Sequence, residues 1–172
     1  FAGGCFWCME PPYDKQPGVT ATISGYIGGE LENPSYEEIS QGGTGHAEVV
    51  NVEYDSDQIS YPQLLDIFWR NIDPFAVDRQ FCDVGDQYRS AIFTHSPEQE
   101  RVAAESKARA QESLKKEIVT SIEPATGFWR GAGGKAGFRM SRQSCHSRSE
   151  QPKYCAVQVL PPNCAALPRF AV

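Results

Sequence analysis

An α+β sandwich is the fold class this sequence predicts, and three observations predict it. Apolar and β-branched residues alternate with period two in Val19–Ile23, Ala47–Tyr54 and Ser90–Thr94. They recur at helical spacing from Pro62 to Ile72, and a second helix start follows at Ser96-Pro97. The two kinds of segment intermix, with neither the strict strand-helix alternation of a doubly wound sheet nor an internal repeat. A chain of 172 residues is the size of one domain and buries a core without covalent staples.

Taken in order, Gly3-Gly4 leads into Cys5, which opens a helical turn shared with Phe6, Trp7 and Cys8; Pro11 and Pro12 should stop or kink it. Pro17-Gly18 and Gly25 bound the strand Val19–Ile23, and Gly28-Gly29 breaks the pattern. A loop from Glu30 to Gly45 leads into the strand Ala47–Tyr54, where Glu48 shares a face with Val50, Val52 and Tyr54, so a carboxylate is aimed inward. Pro62 suits a first helical turn, and Leu64, Leu65, Phe68 and Ile72 form the apolar stripe of a helix through Asn71, ended by Pro74. After the strand Ser90–Thr94, Ser96-Pro97-Glu98-Gln99 has the form of a capping box and starts a helix to about Lys116. Ile118–Ile122 resumes the strand pattern until Pro124. From Arg130 to Ser149 basic residues occur among glycines and serines with no Asp or Glu, which reads as a solvated tail.

Composition narrows the function. A net charge of -6 and a pI near 5.1 argue against nucleic acid or an anionic membrane as general partner, since both attract a basic face. No apolar run approaches a membrane span and no signal-peptide pattern is present, so a cytoplasmic monomer is expected. Six cysteines in a chain this long are too few for a secreted disulfide scaffold; catalytic thiols in a reducing compartment fit better.

The chemistry concentrates at Cys5. Unpaired N–H groups at a helix start favour thiolate over thiol, and the thiolate is the attacking form. Cys8, three positions on, lies on the same face within disulfide reach. Glu48, directed into apolar surroundings, gains a raised pKa and becomes a proton donor near neutral pH. Tyr36 in Asn33-Pro34-Ser35-Tyr36 and Tyr88 in the run from Cys82 to Ser90 sit at loop or strand edges. With a protonated carboxyl they make a pocket for an S=O oxygen.

These residues together resemble peptide methionine sulfoxide reductase, type A. The motifs that carry the likeness are G-C-F-W at 4–7, G-Y-x-G-G at 25–29, N-P-x-Y at 33–36, G-H-A-E at 45–48 and D-x-G-x-Q-Y-R-S at 83–90, spanning Phe1 to about Trp129. The resemblance implies a central mixed sheet with flanking helices around a ferredoxin-like core. It implies a catalytic core over 1–129 and an irregular tail over 130–172. It casts Cys5 as nucleophile, Glu48 as acid, Phe6 and Trp7 as the cage for the substrate S-methyl group, Tyr36 and Tyr88 as partners at the oxygen, and Asp83 as a supporting polar residue. The implied reaction reduces methionine S-sulfoxide, free or in proteins, leaving a sulfenic acid that becomes a disulfide. Thioredoxin or a similar dithiol resets the site, with neither cofactor nor metal.

Past Trp129 the sequence departs from the family pattern, and the likeness resumes near Gln151-Pro152-Lys153-Tyr154-Cys155. The recycling thiol is therefore Cys155 or Cys8, and the tail motif favours Cys155. Cys82 is a weaker candidate, and Cys145 and Cys164 are bystanders. Two other functions compete: a thioredoxin-like disulfide oxidoreductase using Cys5-x-x-Cys8, and a structural zinc module drawing on Cys145 and His146. The bulk of Phe6-Trp7 and the absent strand-helix order count against the first, and the adjacent tail ligands against the second.

Overall fold

The computed structural model describes residues 1–131. Its elements are β1 (Ala2–Gly3), α1 (Phe6–Asp14), β2 (Val19–Ile27), α2 (Tyr36–Ser40), β3 (Ala47–Tyr54), α3 (Tyr61–Arg70), β4 (Arg79–Gln80), β5 (Asp83–Val84), β6 (Ser90–Thr94), α4 (Pro97–Leu114), β7 (Ser121–Pro124) and β8 (Trp129–Arg130), with one 3-10 turn over Asp86–Tyr88.

The strands form two three-stranded sheets, ordered β1-β6-β7 and β3-β2-β8, and a separate β4-β5 ribbon. All pairs are antiparallel except β6 with β7, which α4 connects in parallel. Phe1 joins the two sheets: its N–H donates to Val50 O at 2.9 Å, and Val50 N–H donates back to Phe1 O at 2.9 Å. Across that junction the order is β7-β6-β1-β3-β2-β8. The inner four follow the split βαβ arrangement of a ferredoxin-like core, so the mixed α+β fold expected from the sequence is the one observed.

The helices cover the core for the reasons the sequence supplies. Along α3, Leu64, Leu65, Phe68 and Trp69 are buried, each contributing roughly 1.5–3 kcal/mol where fully removed from water. Trp69 Nε1 donates to Ser106 Oγ on α4 at 2.9 Å, which satisfies a buried indole and ties the two helices. Ser60 and Gln63 cap α3 reciprocally. Among the described residues, no helix is long and apolar enough to cross a membrane.

Several elements differ from the sequence expectation. Helix α1 runs through Pro11 and Pro12 rather than ending there. Proline's fixed φ suits a helix, so the cost falls on the carbonyls of Trp7 and Cys8, which lose their i+4 donors, and burial of Phe6, Met9 and Tyr13 offsets it. Strand β2 continues four residues beyond Ile23, because β3 pairs with it along its length to Ile27↔Ala47. Strand β7 begins at Ser121, not Ile118. The preceding backbone is satisfied elsewhere: Gln111 Oε1 accepts from Ile118 N, Pro74 O from Val119 N, and Thr120 O from Lys107 Nζ. Ser96 caps α4 as expected, but Gln99 Oε1 accepts from His95 N, one residue before the cap. Strand β8 was not foreseen. It lies against Gly25, where a Cβ would come within 2.4 Å of Trp129 O, so only glycine admits it.

Candidate active site

The Gly3-Gly4 pair is required by close packing. A Cβ at Gly3 would stand 2.7 Å from Met9 Sδ, and one at Gly4 2.6 Å from Cβ of Gln80; Gly4 also has φ +89°. The chain can therefore turn sharply under the β4-β5 ribbon and enter α1 with Cys5 as its N-cap residue, half-buried. Gln80 holds the ribbon there: it is buried, its Oε1 accepts from Asp73 N at 2.7 Å, and its Nε2 donates to Asp73 O at 2.8 Å.

Glu48 arrives from β3 with only 2% of its surface exposed, and its Oε2 accepts from the Phe6 N–H at 3.1 Å. Both faces of β3 are buried at Ala47–Val50, so the inward face expected from alternation is only part of the reason for its burial; Val52 and Tyr54 on that face are half-buried. Loss of water pushes the Glu48 carboxyl up from 4.5 to about 7, against the Phe6 amide, which lowers it; Asp83 and Cys8 add to the rise.

Cys8 is exposed in the first turn of α1, one helical turn from Cys5, and its N–H donates to Cys5 O at 2.9 Å. The neighbouring Cys8 sulfur, then burial and the charge of Glu48, push the Cys5 thiol up, and the Cys5 sulfur draws Cys8 down. The Trp7 amide pulls Cys5 down and is outweighed.

Aromatic residues surround the pair. Phe6 and Trp7 meet edge to face with centroids 5.3 Å apart, and Trp7 stacks on Tyr36 at 6.1 Å. Tyr36 opens α2, placed by the Ser35–Glu38 capping box rather than at a loop edge. Tyr88 ends the 3-10 turn. Asp86 accepts from Gly43 N at 3.1 Å and Arg89 Nη2 donates to Gly45 O at 3.0 Å, clamping that turn to the approach to β3. Burial first, then Glu48, Asp83, Tyr36 and Cys5, raise the Tyr88 phenol, so it stays a donor. Asp83 on β5 is itself raised by burial. His46 is structural: its Nδ1 accepts from Gly29 N at 3.2 Å, which leaves Nε2 to donate to Leu31 O at 2.8 Å.

The structure thus brings together Cys5, Phe6, Trp7, Cys8, Tyr36, Glu48, Asp83 and Tyr88. Cys82 is exposed at the tip of the ribbon, and Cys145, Cys155 and Cys164 lie outside the described residues. Sequence reasoning missed Gln80 and Tyr26. The latter lies within G-Y-x-G-G and is fully buried directly across the ladder from Glu48.

A family model described as peptide methionine sulfoxide reductase matches residues 1–161. The chain is 53% identical over 131 residues to peptide methionine sulfoxide reductase MsrA of Methanothermobacter thermautotrophicus, covering 75% of this chain and 78% of that protein. Among solved structures it is similar to reduced Mxr1 from Saccharomyces cerevisiae, with TM-score 0.73, 34% identity and 77% of each chain covered. It is also similar to Mxr1 in complex with Trx2, with TM-score 0.56 and 28% identity over 74% of this chain and 75% of that one.

Proposed function

Because this chain belongs to the peptide methionine sulfoxide reductase family, we propose that it reduces methionine S-sulfoxide, free or in proteins, with Cys5 as nucleophile and Glu48 as acid. The observation that carries this reading is the buried Glu48 carboxyl, bonded to the first amide of the helix that Cys5 caps. A sulfoxide sulfur is electrophilic only when its oxygen is protonated or hydrogen-bonded, so a proton donor and a sulfur nucleophile must face one S–O bond together.

The Cys5 sulfur, as thiolate, attacks the substrate sulfur while Glu48 gives its proton to the oxygen. Tyr36 and Tyr88 donate to that oxygen. The sulfoxide is reduced to methionine by two electrons, and Cys5 is oxidised to a sulfenic acid that keeps the oxygen. Phe6 and Trp7 present ring surface to the S-methyl group, and Asp83 helps keep Glu48 protonated.

For recycling, the tail motif favours Cys155, while the place of Cys8 in the first turn of α1, with its N–H on Cys5 O, favours Cys8, which is the reading we adopt. The Cys8 sulfur attacks the sulfenic sulfur, an S–S bond forms, and water leaves with the sulfenic oxygen. A thioredoxin-class dithiol, the kind of partner the Mxr1–Trx2 complex holds, then reduces the disulfide and is itself oxidised. Disulfide exchange alone would leave Glu48 and the aromatic cage without a task, and the tail ligands of a zinc module lie outside the described residues.

The test is turnover of a mixed-epimer methionine sulfoxide with dithiothreitol. Loss of the S epimer alone, abolished in a folded Cys5→Ser variant, is the expected result. Consumption of both epimers, or activity surviving in Cys5→Ser, overturns the reading.

A further inference from the structure

Tyr26 has no place in the mechanism above, yet it is fully buried and its hydroxyl has no hydrogen-bond partner. A buried hydroxyl with no partner is destabilising, and phenylalanine would avoid that loss. Tyr13, as deeply buried, does find an acceptor in Leu64 O at 3.5 Å.

Position limits what Tyr26 can do. Its backbone is fixed on both sides, by Tyr26↔Glu48 on β3 and Tyr26↔Trp129 on β8. Residues opposite each other on an antiparallel ladder point to the same face with Cβ atoms about 4.5–5.5 Å apart, so the Tyr26 and Glu48 side chains run out side by side. The Phe6 ring lies against Tyr26 with centroids 5.9 Å apart, and the Phe6 N–H holds Glu48 Oε2. With no exposed surface, the phenol does not reach the substrate.

The state that needs another donor is the one after proton transfer. A protonated Glu48 accepts from Phe6 on one oxygen and carries its proton on the other; once that proton has gone to the sulfoxide oxygen, a buried carboxylate has one oxygen unserved. We propose that Tyr26 is a positioning residue whose hydroxyl donates to this second oxygen of ionised Glu48, an inference that rests on Glu48 acting as the acid. The other titratable groups around the Glu48 and Tyr26 side chains are Cys5 and Cys8 on α1, Tyr36 and Glu37 on α2, Asp83 on β5 and Tyr88 on the 3-10 turn. The thiols and Asp83 repel a carboxylate when ionised, and Tyr36 and Tyr88 are engaged by the substrate oxygen, so Tyr26 is the donor left over.

The experiment uses reduced protein without added reductant and follows methionine release in a single turnover from pH 5 to 9. Wild type should lose rate along a limb with a midpoint near 7, and Glu48→Gln, which lacks that limb, assigns it. Removing a donor to the carboxylate favours the acid form, so Tyr26→Phe should move the midpoint up by about one pH unit. Should Tyr26→Phe misfold, 3-fluorotyrosine at position 26, a stronger donor of nearly the same size, should move the midpoint down. A folded Tyr26→Phe protein with the wild-type midpoint overturns the inference, as does an unmoved midpoint with fluorotyrosine. Absence of methionine release from wild type, or a limb that survives Glu48→Gln, instead overturns the function or acid assignment on which it rests.

Discussion

Glu48 Oε2 accepts a hydrogen bond from the main-chain N–H of Phe6, 3.1 Å away, so the site's buried carboxyl is anchored to the residue next to Cys5. One contact between β3 and the start of α1 therefore sets the distance between acid and nucleophile.

Glu48→Gln keeps the size and the acceptor for Phe6 but has no proton to give. Single-turnover rate at pH 6 should fall by about 10²–10⁴ with the Michaelis constant less affected; a change under about threefold would leave Glu48 structural. Stability should respond in a defined direction. The folded-state value of about 7 lies above the ordinary 4.5, so native protein binds more protons between them, and wild-type stability declines as pH rises through that window. Glu48→Gln lacks this decline and should gain on wild type by up to about 3 kcal/mol at pH 8 relative to pH 4, measured by urea unfolding at each pH.

Trp7→Ala removes the ring that stacks on Tyr36 and abuts Phe6. The Michaelis constant for methionine sulfoxide should rise about tenfold, the worth of roughly 1.4 kcal/mol of aromatic contact with a sulfur-bound methyl. Unchanged kinetic constants would make Trp7 a packing residue only.

Cys8 and Cys155 are separated by mass mapping of the disulfide formed after one turnover without reductant. A peptide pair joining Cys5 to Cys8 is expected, and Cys8→Ser should accumulate a sulfenic acid trapped by dimedone. A Cys5–Cys155 pair would return the role to the tail, and no disulfide in wild type would remove it from both.

Much of this molecule is legible in its sequence because the signals are local. The stretch that reads as a loop holds α2, capped by Ser35 and Glu38, but alternation sets β3 and turns Glu48 inward, and the two glycines before Cys5 announce a close approach. The last two depend on neighbours within a few positions, so the sequence determines the α+β class, the main helices and strands, and the candidates that gather around Cys5. Tertiary structure decided the rest, since it depends on which distant segments meet. The β2–β3 register sets Tyr26 beside Glu48, and a one-residue slip would send one of them to the other face. Packing under Gln80 allows α1 to start where its first amide reaches Glu48, while burial, with Asp83 and Cys8 nearby, raises that carboxyl. Desolvation and charge coupling act through space, and no spacing along the chain encodes them.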